Sequence, residues 1–476
     1  MVTAGMFPSW GPGKEHGMSE QHEGDRAEVV VVGMGPGSED VAERLAESGL
    51  DVVGVDGRLV GGECPYWGCV PSKMMIRAAG LLAEARRIPG MAGEAAVTPD
   101  WAPVAKRIRA EATDNWDDKA AVDRFEGKGG RFVRGWGHLD GPHRVVVGDR
   151  IIEATRAIVL GVGAKAWTPP IAGLVDTPFW TNREAIEAEE VPESLAIIGS
   201  GPIAVELGQV FSRFGSAVTI LEREAHLMPP EDPDAGRLLA EVFSHEGIDV
   251  RTDVRFGSVY HDGHRFSVFF DKGEPVVAER LLVATGRRPD LERLKLDSLG
   301  LDPEAHEIPT DDHLRVVDGV WAVGDATGKG AFTHVSMYQA DIVVDDILGN
   351  KVTPADYRAV PRVTFTDPEI GSVGLSEWAA RDQGIQVRVG KADVSSATRG
   401  WIHKAGNRGF IKLVEDADRG VLVGAVSMGP CGGEVLGLLA LAVHAEVPTA
   451  KLRNMIYAYP TFHRAIETAV KDLTDR

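Results

Sequence analysis

The chain carries one pattern twice. Glu28 to Val32 is a β-branched run of the kind found in a strand buried on both faces. The turn Gly33-Met-Gly35-Pro-Gly37-Ser38 follows, then a helical pattern through Val41, Leu45 and Leu50, then a strand from Asp51 to Val55 that ends at Asp56. The second copy has a strand from Leu195 to Ile198 and the turn Gly199-Ser-Gly201-Pro-Ile-Ala204. A helix through Val205, Leu207 and Phe211 leads to a strand from Ala217 to Leu221 that ends at Glu222. In both copies the acid lies 23 positions after the first glycine. Such glycines allow a tight turn and the approach of a pyrophosphate to a helix N-terminus. An acid about 20 residues on can bind ribose hydroxyls. One such turn is weak evidence; two in matching context restrict the chain to two related doubly wound α/β units, each built for a dinucleotide. Ser38 replaces the last glycine of the first copy and is expected to loosen helix–strand packing slightly.

The acids bear on which nucleotide is held. A carboxylate at the end of the second strand suits a free 2′-hydroxyl, as in NAD or the adenosine of FAD. Glu222 should repel a 2′-phosphate, favouring NADH over NADPH, and Arg223 partly offsets this. The 476 residues suggest about three domains. A net charge of −20 argues against nucleic-acid binding. The polar first 26 residues lack an apolar h-region, so no signal peptide is expected. No apolar run reaches the ~20 residues of a spanning helix. The stretch from Val435 to Val443 reads as a buried helix, and a cytoplasmic protein without a membrane partner is expected.

There are three cysteines, which suits a reducing compartment. Two are close, in Gly61-Gly62-Glu-Cys64-Pro-Tyr66-Trp67-Gly-Cys69-Val-Pro-Ser-Lys73, just after Asp56. A helical pattern runs from Ser72 to Ala83, and a helix N-terminus stabilises a thiolate. Two such thiols can cycle between dithiol and disulfide. The alternatives are a buried structural pair or half a zinc site, and no other cysteine pair exists to complete the latter. No metal site is expected. Cys431 is isolated and reads as a small buried residue.

Gly-Gly-x-Cys-x4-Cys-x-Pro-Ser-Lys between two fingerprints resembles the class I flavoprotein disulfide reductases, the pyridine nucleotide-disulfide oxidoreductases. These include dihydrolipoamide dehydrogenase, glutathione and mycothione reductases, and mercuric reductase. The resemblance covers residues from about 27 to 473. Ala284-Thr-Gly286-Arg-Arg-Pro-Asp290 resembles the family's A-T-G-R-x-P-N segment, and Val320-Trp-Ala-Val-Gly324-Asp325 its second FAD motif. Phe365-Thr-Asp-Pro-Glu-Ile-Gly371 resembles the start of its dimerisation domain. Gly161-Val-Gly163 departs from the first A-T-G but keeps the final glycine.

The resemblance implies a disordered tail at 1–26, an FAD-binding domain at 27–168 and 289–350, an inserted Rossmann-like NAD(P) domain at 169–288, and an α+β dimerisation domain at 354–476. FAD would be held by Gly33, Gly35, Gly37, Ser38, Asp56, Gly62, Lys73, Gly163, Gly324 and Asp325. NAD(H), rather than NADP(H), would be held by Gly199, Gly201, Ala204, Glu222 and Gly286. Electrons would pass from NAD(P)H to FAD, to the Cys64–Cys69 disulfide, and to an acceptor such as a small-molecule disulfide. Cys69 would be the thiolate nearer the flavin and Cys64 the interchange thiol. Lys73 would approach the flavin and pair with Glu206.

Two segments depart from that pattern. The family ends in His-x-His-Pro-Thr-x-x-Glu, where the second His is a base oriented by the Glu. This chain reads Tyr457-Ala-Tyr459-Pro460-Thr461-Phe-His463-Arg464, which places Tyr459 at the base position. A phenol is protonated at neutral pH, a poor base and a good donor. Turnover of lipoamide or glutathione disulfide should therefore be inefficient. His463 and Glu467, four apart, would share a helix face and offer a displaced dyad. Tyr66 and Trp67 are bulkier than the usual Asn-Val; they would narrow access, stack on a flat acceptor, or pack against the flavin domain. The alternative function is a flavin reductase of quinones or metal ions, like mercuric reductase. However, Lys471 to Arg476 contains no cysteine pair. The family further implies a homodimer in which Tyr459 reaches the other subunit's cysteines.

Overall fold

A computed structural model describes residues 25–473. Most of the expected tail lies outside the described residues. Asp25 and Arg26 correct its boundary, because they open the first strand, Asp25–Val32 (β1), and pair with Ile152 and Glu153.

Val52–Asp56 (β2), Arg131–Arg134 (β3) and Arg150–Leu160 (β4) join β1 in the first, eight-stranded sheet. Its order runs Arg315–Val317, Val320–Ala322, β4, β1, β2, β3, so the chain leaves after β4 and returns much later. The links β1–β2, β2–β3, β1–β4 and β4 to Val320–Ala322 are all parallel. The β-branched run of β1 feeds two cores. Val29 and Val31 pack with Val41 and Leu45, whereas Val30 and Val32 pack with Val53 and Ile158. Each is almost wholly buried, and burial of a valine contributes about 1.5 kcal/mol or more.

Pro36–Glu47 (α1) follows β1, and Glu63–Trp67 (α2) and Cys69–Arg87 (α3) follow β2. Helix α3 begins three residues before the expected Ser72, because Pro71 falls in its first turn, where a missing N–H costs nothing. Cys69 is therefore the first helical residue.

The second sheet contains Ser194–Ile198 (β5), Ala217–Leu221 (β6), Asp249–Arg251 (β7) and Arg280–Val283 (β8), all parallel in the order β7-β6-β5-β8. Asn182–Glu187 (α4) precedes β5, and Pro202–Arg213 (α5) follows it. The two glycine turns are equivalent in space. Gly33 and Gly199 have φ of +87° and +102°, and a Cβ on either would lie 2.4 Å from Gly161 O or 2.5 Å from Ala284 O. In each copy a later strand ends against the turn, and only glycine fits.

Ser38 does not loosen the first copy. It is 1% exposed, and its Cβ and Oγ occupy the space that a side chain at Gly161 would fill. Thr333–Leu348 (α6) packs beside α1 and closes that face.

The third sheet is antiparallel: Pro361–Thr364 (β9), Glu369–Gly374 (β10), Val387–Asp393 (β11), Phe410–Asp416 (β12) and Val421–Gly429 (β13), in the order β9-β10-β13-β12-β11. Gly432–His444 (α7) and Arg464–Lys471 (α8) cover it through Leu436, Leu439 and Ile466. The helix expected around Val435 to Val443 is α7, although its Leu441 faces outward. Cys431 is exposed, not buried, because it caps the N-terminus of α7. Among the described residues no helix is long and apolar enough to cross a membrane.

Candidate active site

A continuous cleft of about 1790 Å³ runs between the first two sheets. It takes in both glycine turns, Gly62, Cys64, Cys69, Lys73 and Glu206, the acids Asp56, Glu222 and Asp325, and Gly163, Gly286 and Gly324. Two of the expected residues lie elsewhere. Ala204 is wholly buried and packs α5 onto its sheet, so it shapes the turn without facing the cleft. Tyr459 is 67% exposed, outside the cleft of its own chain. Its hydroxyl lies 3.4 Å from Thr398 Oγ1, and the Arg464 guanidinium sits over its ring.

The fit of dinucleotides rests on the two helix N-termini. Gly35 and Gly201 are the N-caps of α1 and α5, in extended backbone, and no side chain satisfies the first-turn amides of either helix. Those amides and the helix dipole are suited to a pyrophosphate. A Cβ on Gly201 would meet open space, as one on Gly163 or Gly286 would. Asp56 stands at the end of β2, accepting from the Met34 N–H at 2.7 Å and the Arg58 N–H at 2.6 Å. Burial pushes its carboxyl above the ordinary range, against the pull of those two hydrogen bonds. Asp325 is also raised by burial, with Arg287 at 3.6 Å opposing. Glu222 at the end of β6 accepts from the Ser200 hydroxyl at 2.6 Å and the Glu224 N–H at 2.9 Å. Arg223 is turned to Glu224 and largely exposed.

The cysteine pair spans α2 and the start of α3, and both sulfurs are free thiols. Cys69 is lowered to about 6, first by the hydrogen bond from Cys64, with Thr333 and the charge of Lys73 also lowering it against burial. Cys64 is raised, first because it donates to Cys69 and then by burial. One proton is thus held on Cys64, and Cys69 carries the charge at neutral pH. Thr333 Oγ1 lies 3.6 Å from Cys69 Sγ and donates to the thiolate. Sequence reasoning missed Thr333, which stands 264 positions from Cys69 at the start of α6 and has no spacing signal.

Lys73 lies one turn beyond Cys69 on α3. Its Nζ donates to Glu206 Oε2 at 2.7 Å, the expected pairing, and lies 4.7 Å from the Phe365 ring. Glu206 is 4% exposed and also accepts from the Phe365 N–H at 2.8 Å.

One expectation is corrected. The displaced dyad does not form: His463 is the N-cap of α8, and Glu467 is engaged by Arg464 at 2.8 Å and Lys471 at 2.6 Å. The two cations lie within one turn of Glu467 and take its carboxylate in place of His463. The two aromatic residues between the cysteines differ in their settings. Tyr66 is buried. Trp67 has the Arg183 guanidinium 4.3 Å over its ring and donates from Nε1 to Glu187 at 2.6 Å. Trp67 therefore packs on α4, beside the second sheet, and also lines the cleft. Among the described residues no cluster of three or more His, Cys, Asp or Glu is placed to hold a metal ion.

Residues 27–340 match the family model described as pyridine nucleotide-disulphide oxidoreductase, and residues 360–470 match its dimerisation domain. The chain is 33% identical over 477 residues to a mercuric reductase of Acidithiobacillus ferrooxidans, covering 97% of this chain and 85% of that protein. It is 32% identical to a dihydrolipoyl dehydrogenase of Halobacterium salinarum, covering 93% and 95%. Among solved structures, the HOCl-induced flavoprotein disulfide reductase RclA of Escherichia coli matches with a TM-score of 0.80 at 25% identity, covering 94% and 99%. LpdA of Mycobacterium tuberculosis matches with a TM-score of 0.81 at 25% identity over the same shares.

Proposed function

The chain belongs to the pyridine nucleotide-disulphide oxidoreductase family, and from that premise we propose that it uses NADH to reduce an external disulfide at Cys64 and Cys69. It is an oxidoreductase flavoprotein, and its matched dimerisation domain implies a homodimer. The observation that carries the proposal is that two free thiols, Cys64 and Cys69, share one cleft with both nucleotide turns, and their environment lowers Cys69 and raises Cys64.

FAD, when bound along the first glycine turn, Asp56 and Asp325, supplies a two-electron relay between nicotinamide and disulfide. The chain's own residues handle charge and protons. Lys73, fixed by Glu206, lines the cleft, where it would face a bound flavin. Cys64 attacks one sulfur of the acceptor disulfide, forming a mixed disulfide. The departing thiolate takes up the Cys64 proton. The Cys69 thiolate then attacks Cys64 Sγ, closing the Cys64–Cys69 disulfide and expelling the second thiolate. With Tyr459 in place of an imidazole, no strong base removes the first proton, and the phenol is left to donate a hydrogen bond. Acceptors with acidic leaving thiols are therefore favoured, because they depart without assistance. Glu222, held by Ser200, favours NADH because its charge opposes a 2′-phosphate.

A second reading is reduction of quinones or metal ions. It is favoured by Tyr459 at the base position and by the mercuric reductases among the relatives. An acceptor screen with NADH and NADPH separates the two. Aryl disulfides, alkyl disulfides, quinones and Hg²⁺ are offered to wild type and Cys64→Ser. The proposal expects aryl disulfides to turn over fastest, with NADH, and only when Cys64 is present. Quinone turnover that survives Cys64→Ser, without disulfide turnover in the wild type, would support the second reading.

A further inference from the structure

Glu63 and Trp67, which flank Cys64 in the cysteine loop, are held from outside their own domain. Glu63 forms an ion pair with Arg183 and accepts from Asn182 Nδ2 at 3.3 Å. The same Asn182 Nδ2 donates to the Trp67 carbonyl at 2.8 Å. Arg183 covers the Trp67 ring, and Trp67 Nε1 reaches Glu187. All three partners lie on α4, a helix whose own start is fixed by a Thr181–Glu184 capping box. Trp180, just before it, is paired with β8 through Leu282, so α4 belongs mechanically to the second sheet. On the other side Tyr66 is buried. The cysteine loop is thus pinned between the two nucleotide units.

We propose that Asn182, Arg183 and Glu187 are positioning residues for the cysteine pair, clamping the loop through Glu63 and Trp67 and so setting the equilibrium between dithiol and disulfide. The inference rests on the reading that Cys64 and Cys69 are the redox pair. A disulfide within a loop is stable in proportion to how often its two sulfurs meet, their effective concentration. The clamp removes freedom from the loop in both redox states. Loosening it lowers that effective concentration and makes the pair more oxidising. Asn182 and Arg183 also line the cleft, so flavin content is read beside the redox ratio.

The test equilibrates FAD-loaded protein with glutathione buffers. The pair passes two electrons and two protons to oxidised glutathione, which becomes two thiols. Acid quenching, alkylation and mass analysis then count the free cysteines at 64 and 69. For Arg183→Ala/Glu187→Gln we expect the disulfide to be about tenfold less stable relative to glutathione, a rise of about 30 mV. Trp67→Phe keeps the ring under Arg183 but loses the Nε1 donor, and should shift the same way by less. Glu190→Gln, exposed three residues beyond the end of α4, should not shift. Flavin content and the unfolding midpoint report any general loss of structure, which alone would leave the ratio unmoved. If wild type cycles but neither variant shifts, the clamp is overturned and the redox pair stands. If wild type never forms the disulfide, the redox pair itself is refuted, and the clamp with it.

Discussion

Ser38 and Gly161 make room for each other: a Cβ built on Gly161 would lie 2.4 Å from both Cβ and Oγ of Ser38. Each is a departure from its motif when met alone, and together they restore the packing of the first nucleotide turn. Gly161→Ala should therefore cost about 1–3 kcal/mol through overpacking and lower FAD retention. Adding Ser38→Gly should recover most of both. Urea unfolding and flavin content across the four-member cycle measure the coupling, and additive losses would contradict the account.

Lys73 and Glu206 form a pair of unequal burial. Lys73→Met leaves Glu206, 4% exposed, with the Phe365 N–H as its one donor among the described residues. Because the lysine is partly in solvent, the cost should be about 1–3 kcal/mol, below that of breaking a fully buried pair. NADH-driven reduction of the cysteine pair should slow as well. Glu206→Gln keeps one acceptor oxygen for the Phe365 N–H and leaves the partly exposed Lys73 ammonium to solvent, so it should be milder. Equal losses in the two variants, by chemical unfolding and stopped-flow, would count against this.

The charge on Cys69 gives a pH signature. Its thiol is lowered to about 6, against about 8.5 for a free cysteine. The thiolate is therefore populated above pH ~6 and lost as pH falls through that value. In Cys64→Ser a hydroxyl still donates to Cys69, and the ultraviolet thiolate absorbance should titrate well below the free-cysteine range. Thr333→Val removes one of the donors and should move that midpoint upward. An unshifted midpoint in both proteins would refute the assignment.

Glu222 should set the nucleotide preference. Glu222→Ala removes the charge that opposes a 2′-phosphate and should reduce the NADH to NADPH ratio of kcat/KM about tenfold, or ~1.4 kcal/mol. Ser200→Ala releases a hydrogen bond to the same carboxylate and should reduce the ratio less. An unchanged ratio in Glu222→Ala would remove this residue from specificity.

Much of the site was legible because its chemistry is local in sequence. Gly33 and Gly199 announce themselves, since a turn that close to another backbone admits only glycine. Cys64, Cys69 and Lys73 lie within three turns of chain. What remained illegible is contact between distant segments. Ser38 and Gly161 were both visible as departures, yet nothing in the sequence says that they touch. The same holds for Thr333 beside Cys69 and for Arg183 over Trp67. The His463–Glu467 spacing misled because i,i+4 geometry permits a pair without choosing it, and Lys471 stands at the same spacing from Glu467.

The central claim is that NADH delivers electrons to the Cys64–Cys69 pair. The direct measurement is an anaerobic NADH titration of the oxidised, FAD-loaded protein, with free thiols counted by alkylation at each step. The account predicts two new thiols per subunit, at Cys64 and Cys69, and none in Cys69→Ser. Flavin bleaching with no new thiols in the wild type would contradict it.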